Sequence, residues 1–305
     1  MIKIFGHKVP DTDATVSAIA YAWYYNEIKG EAATPYVLGE LNRETAYVLE
    51  KFGVATPETL GPLTADDKVV VVDTNNMHEL PDDMKHAELI EIIDHHKLVG
   101  GIETPNPITI TLRPMASTAS LIYTYLNPEL HEIPQEIAGI MLAGVLSDTL
   151  EFRSPTTTDE DRAIAESLAE IAGVDIHELA EGMFAAKSDL SGMDAEDLIM
   201  MDSKVFAIKG KNLRVSVLET MSPSQALKQR EALIQGIGKH VETNDDVDEV
   251  LLFVVDILGE SAMPILASDE ATNIVEKAFD VSVSEDTILD GVVSRKKQII
   301  PKLEV

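Results

Sequence analysis

Aspartate and histidine recur in this chain at spacings that suit the capture of divalent metal ions. The first cluster is Gly6-His7-Lys8-Val9-Pro10-Asp11-Thr12-Asp13-Ala14, in which His7, Asp11 and Asp13 fall within seven residues. The second is Asp73-Thr74-Asn75 and the third is Asp94-His95-His96. A fourth candidate, Asp148 in Ser147-Asp148-Thr149, follows the apolar segment 137–146. A carboxylate there is strongly disfavoured unless a partner or a metal compensates its charge. The donors are carboxylate oxygens and imidazole nitrogens with no sulfur, which suits Mn²⁺, Mg²⁺ or Co²⁺ better than a structural zinc site. About six such ligands are the natural complement of two ions that share a bridging carboxylate, an arrangement that activates water and stabilises the oxygens of phosphoryl transfer.

The elements that must position these residues are legible as apolar runs. Residues 2–5, 69–72 and 89–93 read as strands, each ending where a cluster begins. In an open α/β sheet, ligands bind at the carboxyl ends of the strands, so clusters far apart in sequence converge there. Helical patterns alternate with these strands, as in βαβ units: 14–29 with Asp13 as its cap, 43–52 closed by Gly53, 117–126, and 134–146 with Pro134 in its first turn. A strand at 35–38, a capped helix after Ser154-Pro155-Thr156-Thr157-Thr158-Asp159 and a helix at 175–186 complete this half. The small and polar stretch from Lys187 to Asp194 reads as a linker. Beyond it come a hairpin (204–208 and 213–218), a helix from Ser222-Pro223 to about His240, and an antiparallel pair (250–257 and 262–267). The expectation is α/β: a doubly wound, mainly parallel sheet domain at 1–187, a hinge at 188–194, and a smaller mixed-sheet α/β domain at 195–305.

Each cluster alone has a bland explanation. An aspartate after a strand is ordinarily a turn or cap residue, acids in a first turn serve the helix dipole, and a His-His pair is often half-buried packing. Their joint occurrence at successive strand ends is what carries the metal reading. A second informative piece is Ser294-Arg295-Lys296-Lys297-Gln298. With 24 basic against 53 acidic residues, adjacent cations read either as a solvated turn or as a phosphate clamp, to which Lys204 could add. Nucleotide-binding glycine loops, the GxSxG elbow and HExxH are absent, and Gly236-Ile237-Gly238-Lys239 reads as a helix C-terminus. His78, His86, His131, His177 and His240 sit in polar surroundings without evident partners.

Composition bounds the rest. At 305 residues and 45% apolar content the chain can bury two cores, and no run approaches a membrane span. The strand at the N-terminus leaves no room for a signal peptide, and the lack of cysteine fits a reducing cytoplasm. The formal charge of -29 repels nucleic acid and anionic membranes.

The Asp94-His95-His96 signature, with His7 to Ala14 upstream, resembles the DHH phosphoesterase superfamily. Ser294 to Gln298 narrows the resemblance to the family II, manganese-dependent inorganic pyrophosphatases, over essentially the whole chain. That resemblance implies that His7, Asp11 and Asp73 hold one metal and that Asp13, Asp73, His95 and Asp148 hold the other, with Asp73 as the bridge. His96 would stand behind the ligands or touch substrate, and Lys204, Arg295 and Lys296 would bind phosphate from the second domain. It further implies a cleft between the domains, Mn²⁺ or Co²⁺ at two ions per subunit, additional Mg²⁺ with pyrophosphate, and a homodimer formed through the first domain. The activity expected is hydrolysis of pyrophosphate to two orthophosphates by a metal-bridging hydroxide. The alternative is a related phosphoesterase acting on short oligonucleotides or nucleoside phosphates. A rival of another class, a non-catalytic metal- or nucleotide-sensing module, would be expected to have lost some of these ligands.

Overall fold

The computed structural model describes residues 1–126, 131–190 and 192–304. Ser191 of the expected linker and Val305 at the end of the expected second domain lie outside the described residues. The chain forms two compact units, Met1–Lys187 and Ser188–Val305.

In the first unit the strands are β1 (Ile2–Phe5), β2 (Ala33–Val37), β3 (Glu58–Thr59), β4 (Lys68–Val72), β5 (Glu88–Asp94) and β6 (Thr109–Leu112). All pairs are parallel, in the order β3-β2-β1-β4-β5-β6. Val69, Val70, Val71 and Val72 are fully buried, with Val69 and Val71 packed against Leu63, Leu80 and Met84 of the connecting segments on one face of the sheet. Each such side chain contributes about 1.5–3 kcal/mol of hydrophobic stabilisation. The strand order reverses between β1 and β4, a switch point where adjacent connections leave in opposite directions and open a crevice. His7 and Asp11 follow β1 and Asp73 follows β4, so both sides of the crevice carry candidate ligands.

The helices of this unit are α1 (Thr12–Trp23), α2 (Arg43–Lys51), α3 (Thr118–Leu126), α4 (Gln135–Thr149), α5 (Asp159–Ala172) and α6 (Ile176–Lys187). The first differs from expectation at both ends. Asp11, not Asp13, is its N-cap, and after Trp23 the backbone widens into a π-helical turn, Tyr24–Lys29, closed by left-handed Gly30. Pro134 caps α4 instead of sitting in its first turn, and α4 continues to Thr149, so Asp148 lies within the helix.

The second unit contains β7 (Ser203–Ile208), β8 (Lys211–Thr220), β9 (Glu249–Asp256), β10 (Ser261–Ile265) and β11 (Leu289–Asp290). They form a mixed sheet, β11-β10-β9-β8-β7, in which only β8 and β9 pair in parallel among the described residues. Along β9, Leu251, Phe253 and Val255 enter one core while Val250, Leu252 and Val254 enter the other, the period of two that a strand buried on both faces imposes. Helices α7 (Ala195–Met200), α8 (Pro223–Leu227), α9 (Arg230–Thr243), α10 (Asp269–Phe279) and α11 (Ile300–Glu304) flank it. The expected single helix from Ser222 to His240 is broken at Lys228-Gln229. Gly236 and Gly238 therefore lie inside α9 instead of ending a helix. His240 also departs from its reading: it is buried, with Nδ1 2.8 Å from Glu196 Oε1. His177 likewise has a partner, Glu151 Oε1, at 2.7 Å. Ser188 in the expected linker is buried, and Asp194 caps α7.

Candidate metal centre

The turn after β1 is tight because Gly6 allows it. A Cβ there would stand 2.7 Å from the Ala14 Cβ, so only glycine lets the loop fold back on α1. Asp11 then uses one oxygen, Oδ1, to accept the Ala14 N–H at 2.9 Å as the helix cap. Its other oxygen lies 3.5 Å from His7 Nε2. One oxygen of Asp11 thus serves the helix cap while the other faces His7.

Asp73 follows β4 in a left-handed conformation, φ 61°. A non-glycine residue there is strained by about 1–3 kcal/mol. The bond from Asp73 N–H to the Ile93 carbonyl, 2.8 Å, helps to hold it. The result is a carboxylate with a different imidazole at each oxygen. Oδ2 lies 3.4 Å from His7 Nε2, and Oδ1 lies 3.4 Å from His95 Nε2. Thr118 Oγ1 also donates to Oδ1, at 2.9 Å.

Asp13 is fully buried on α1. Its oxygens accept the Thr118 N–H at 2.6 Å and the Ala119 N–H at 2.9 Å, so it caps α3, not its own helix. Gly144 on α4 makes room for it, since a Cβ at 144 would sit 2.9 Å from Asp13 Oδ1. Asp148, in the last turn of α4, has Oδ2 3.5 Å from His95 Nε2. After α4 the backbone makes a left-handed turn through Leu150, Glu151 and Phe152.

The two histidines are oriented from behind. His95 Nδ1 lies 3.1 Å from the Met115 carbonyl, which fixes the proton on Nδ1 and leaves the Nε2 lone pair open to a metal. His96 Nδ1 lies 2.9 Å from Asp94 Oδ1, and Asp94 itself is held by the Asn75 amide. Donor atoms within 4.8 Å of one another form three groups: His7, Asp11 and Asp73; Asp13, His95 and Asp148; Asp73, His95 and His96. A cavity of about 740 Å³ opens beside them, lined by His7, Lys8, Asn75, His78, His96 and Lys97 among others.

The electrostatics of the cluster describe a site short of positive charge. Burial opposes the charge on His7, yet Asp11 and Asp73 push its pKa up to about 10. His95 rises to about 9 against burial, through Asp73 and Asp13. The hydrogen bond to Asp94 raises His96. Burial and the neighbouring Asp73 lift Asp13 to about 8, while burial and Asp13 lift Asp148 well above the carboxylate range. Asp73 falls below its usual value because His7 and His95 outweigh its burial. Divalent cations would relieve all of these demands at once. Two atoms support the fit directly: Asp73 Oδ2 and His95 Nε2 are buried without a hydrogen-bond partner among the described residues.

In the second unit, Lys204, Arg295 and Lys296 line one cavity of about 280 Å³ with Phe206 and Ile300. Ser294 caps the π-helical turn Arg295–Ile299, and Gln298 Oε1 accepts the Val293 and Ser294 N–H groups at 2.9 Å. The basic motif is thus a built turn. Arg295 is tied to Asp202, donating to its backbone carbonyl and to Oδ1 at 2.7 Å each. No carboxylate lies within ion-pair distance of Lys204 or Lys296 among the described residues.

The first 145 residues match the model of the DHH family N-terminal domain, and residues 181–305 match the DHHA2 domain. A Lactobacillus acidophilus protein named "Probable manganese-dependent inorganic pyrophosphatase" is 36% identical over 98% of this chain and 96% of its own length. A Streptococcus thermophilus protein of the same name is 37% identical over 99% and 97%. The "Crystal structure of Methanococcus jannaschii putative family II inorganic pyrophosphatase" is similar at a TM-score of 0.60 and 34% identity, covering 100% of this chain and 98% of that one. The chain belongs to the family II, manganese-dependent inorganic pyrophosphatases. The DHH match spans His7 to His96, and the DHHA2 match spans Lys204 to Lys296.

The residues that hold the candidate donors in place are less legible in the sequence. Thr118 and the Met115 carbonyl carry no motif, and Asn75, although within the second cluster, takes hold of Asp94 only because distant segments pack together. Asp94 was visible within its cluster, but its task of orienting His96 was not.

Proposed function

We propose that this chain hydrolyses inorganic pyrophosphate to two orthophosphates, using two divalent ions held by the strand-end cluster. One observation carries the reading: Asp73 presents one oxygen toward His7 and the other toward His95. It does so in a chain aligned end to end with relatives named for this activity. His7, Asp11 and Asp73 hold one ion, and Asp13, Asp73, His95 and Asp148 hold the other. Mn²⁺ or Co²⁺ suits these donors, with Mg²⁺ accompanying the substrate. Bound there, the ions supply Lewis acidity and make water nucleophilic at neutral pH.

The chain's own residues do the remaining work. Lys204 and Lys296 neutralise phosphate oxygens as point charges, and Arg295, its plane set by Asp202, offers a directional contact. His96, whose pKa the hydrogen bond to Asp94 raises, hydrogen-bonds a phosphate oxygen and stabilises charge on the departing group. Catalysis in this reading draws on both compact units, with residues 188–194 as the hinge. A homodimer through the first unit is part of the proposal, and β6 supports it as a sheet edge on which Ile110 is exposed. A cytoplasmic location is also part of it, supported by the absence of cysteine. No helix among the described residues is long and apolar enough to cross a membrane.

The test is phosphate release from pyrophosphate after chelation and reconstitution with Mn²⁺, Co²⁺, Zn²⁺ or Mg²⁺, run beside a short oligonucleotide and a nucleoside phosphate. The reading expects Mn²⁺ or Co²⁺ to restore rapid pyrophosphate hydrolysis. Preferential cleavage of the oligonucleotide, or tight metal binding without turnover, would overturn it.

A further inference from the structure

Glu44, near the start of α2, is a carboxylate that the proposed reaction leaves unused. It is fully buried, and a single oxygen, Oε2, gathers all its donors: Thr12 Oγ1 at 3.0 Å, Ser147 Oγ at 2.9 Å and Lys187 Nζ at 3.1 Å. The other oxygen, Oε1, is buried without a hydrogen-bond partner among the described residues. Helix capping does not explain this residue, because Asn42 already caps α2 by accepting the Thr45 N–H at 2.8 Å. Burying a carboxylate is costly unless its partners are specific, so the identity of those partners is informative.

Thr12 stands between Asp11 and Asp13, and Ser147 directly precedes Asp148. One oxygen therefore ties together two backbone segments that carry three of the proposed ligands. The third donor, Lys187, is the last residue of the first unit. The next residue, Ser188, accepts the Met221 N–H at 3.1 Å inside the second unit. The chain thus passes from one unit to the next between two side chains that are each tied down. Lys187 is fixed to the segments bearing the metal ligands, and Ser188 is fixed to the end of β8.

We propose that Glu44 is a positioning residue for the metal centre, and that its ion pair with Lys187 couples metal loading to the passage between the two units. The inference rests on the metal reading of the strand-end cluster. Without the carboxylate, the Thr12 and Ser147 hydroxyls lose their common acceptor, and Asp13 and Asp148 lose their fixed relation. Linkage makes the coupling reciprocal: holding Lys187 favours metal uptake, and metal uptake holds Lys187.

The experiment titrates the chelated full-length protein with Mn²⁺, following free Mn²⁺ by electron paramagnetic resonance, for wild type, Glu44→Gln, Lys187→Met and the double variant. Glu44→Gln is expected to weaken Mn²⁺ binding by roughly 10- to 100-fold, the usual effect of removing a group that orients metal ligands. Lys187→Met should weaken it by about threefold, the scale of a half-exposed ion pair. The double variant should bind no more weakly than Glu44→Gln alone, because the lysine acts through the carboxylate. Limited proteolysis within residues 188–194 supplies a second readout. Mn²⁺ should protect this segment in wild type and lose that effect in Lys187→Met. If Glu44→Gln fails to fold, Ser147→Ala removes one tie while keeping the ion pair, and should still weaken Mn²⁺ binding. Unchanged Mn²⁺ affinity in the folded Glu44 or Ser147 variant would sink the proposal, as would losses that simply add. A wild-type protein that takes up no Mn²⁺ would instead bring down the metal reading itself.

Discussion

The end of the first unit's sheet and the cavity around Lys296 in the second unit treat charge in opposite ways. Around Asp73, carboxylates and imidazoles are withdrawn from water and fixed by backbone groups: Asp13 by two N–H groups of α3, Asp73 by its left-handed turn, His95 by the Met115 carbonyl. Around Lys296, among the described residues, Lys204 and Lys296 have no carboxylate partner and Arg295 is tethered to Asp202. The difference follows from what each would hold. A metal ion needs several donors at set positions and tolerates little slack, whereas a multiply charged phosphate is met well enough by flexible point charges. The first region is built to be rigid, and the second to be available.

Three outcomes would break or sharpen this contrast. The largest effect is expected at Asp73, which serves both halves of the cluster. Asp73→Ala should lower kcat for pyrophosphate on the order of 10³-fold or more and abolish stoichiometric Mn²⁺ uptake by calorimetry. Near-normal turnover with unchanged metal affinity would remove the bridge from the model of the site. Next is Lys296→Met, which should raise KM for pyrophosphate roughly tenfold or more while leaving Mn²⁺ affinity as it was. A loss of metal binding there would erase the division of labour between the two regions.

The smallest effect concerns protons. In the metal-free protein His7, His95 and Asp13 are pushed up to about 10, about 9 and about 8, and Asp148 is also raised. A group whose folded pKa exceeds its unfolded value stabilises the fold below the unfolded pKa, and this is lost as pH rises through the folded pKa. The chelated protein should therefore lose thermal stability between about pH 4 and pH 10. Asp73, shifted the other way, acts only below that range. The Mn²⁺-loaded protein should not share the decline, because metal replaces the protons. Differential scanning calorimetry across that range, with and without chelator, measures the difference.

How much was legible depended on how local each feature is. β1, β4 and β5 announce themselves as apolar runs because they are buried on both faces. β3 and β6 do not, since the first is two residues long and the second is half exposed at the sheet edge. Asp13 reads as the cap of α1 because Asp11 and Asp13 both suit a helix start by type and spacing, whereas Asp11 takes that place in the structure. Packing of α3 against α1 draws Asp13 inward, and that is a tertiary event. Glu44 reads as an ordinary acid in a first turn. It becomes a buried junction only when α2 meets α4 and α6.

By itself, the sequence determined the donor types, their places after strand-like runs, the absence of cysteine and the distant basic motif. These rest on residue chemistry and short-range periodicity, which travel with the chain. Tertiary structure alone decided which oxygen of Asp73 faces which histidine, which proton His95 keeps, and that Lys204 shares a cavity with Lys296. Those are distances between segments far apart in the chain, set when each unit's sheet and helices exclude water.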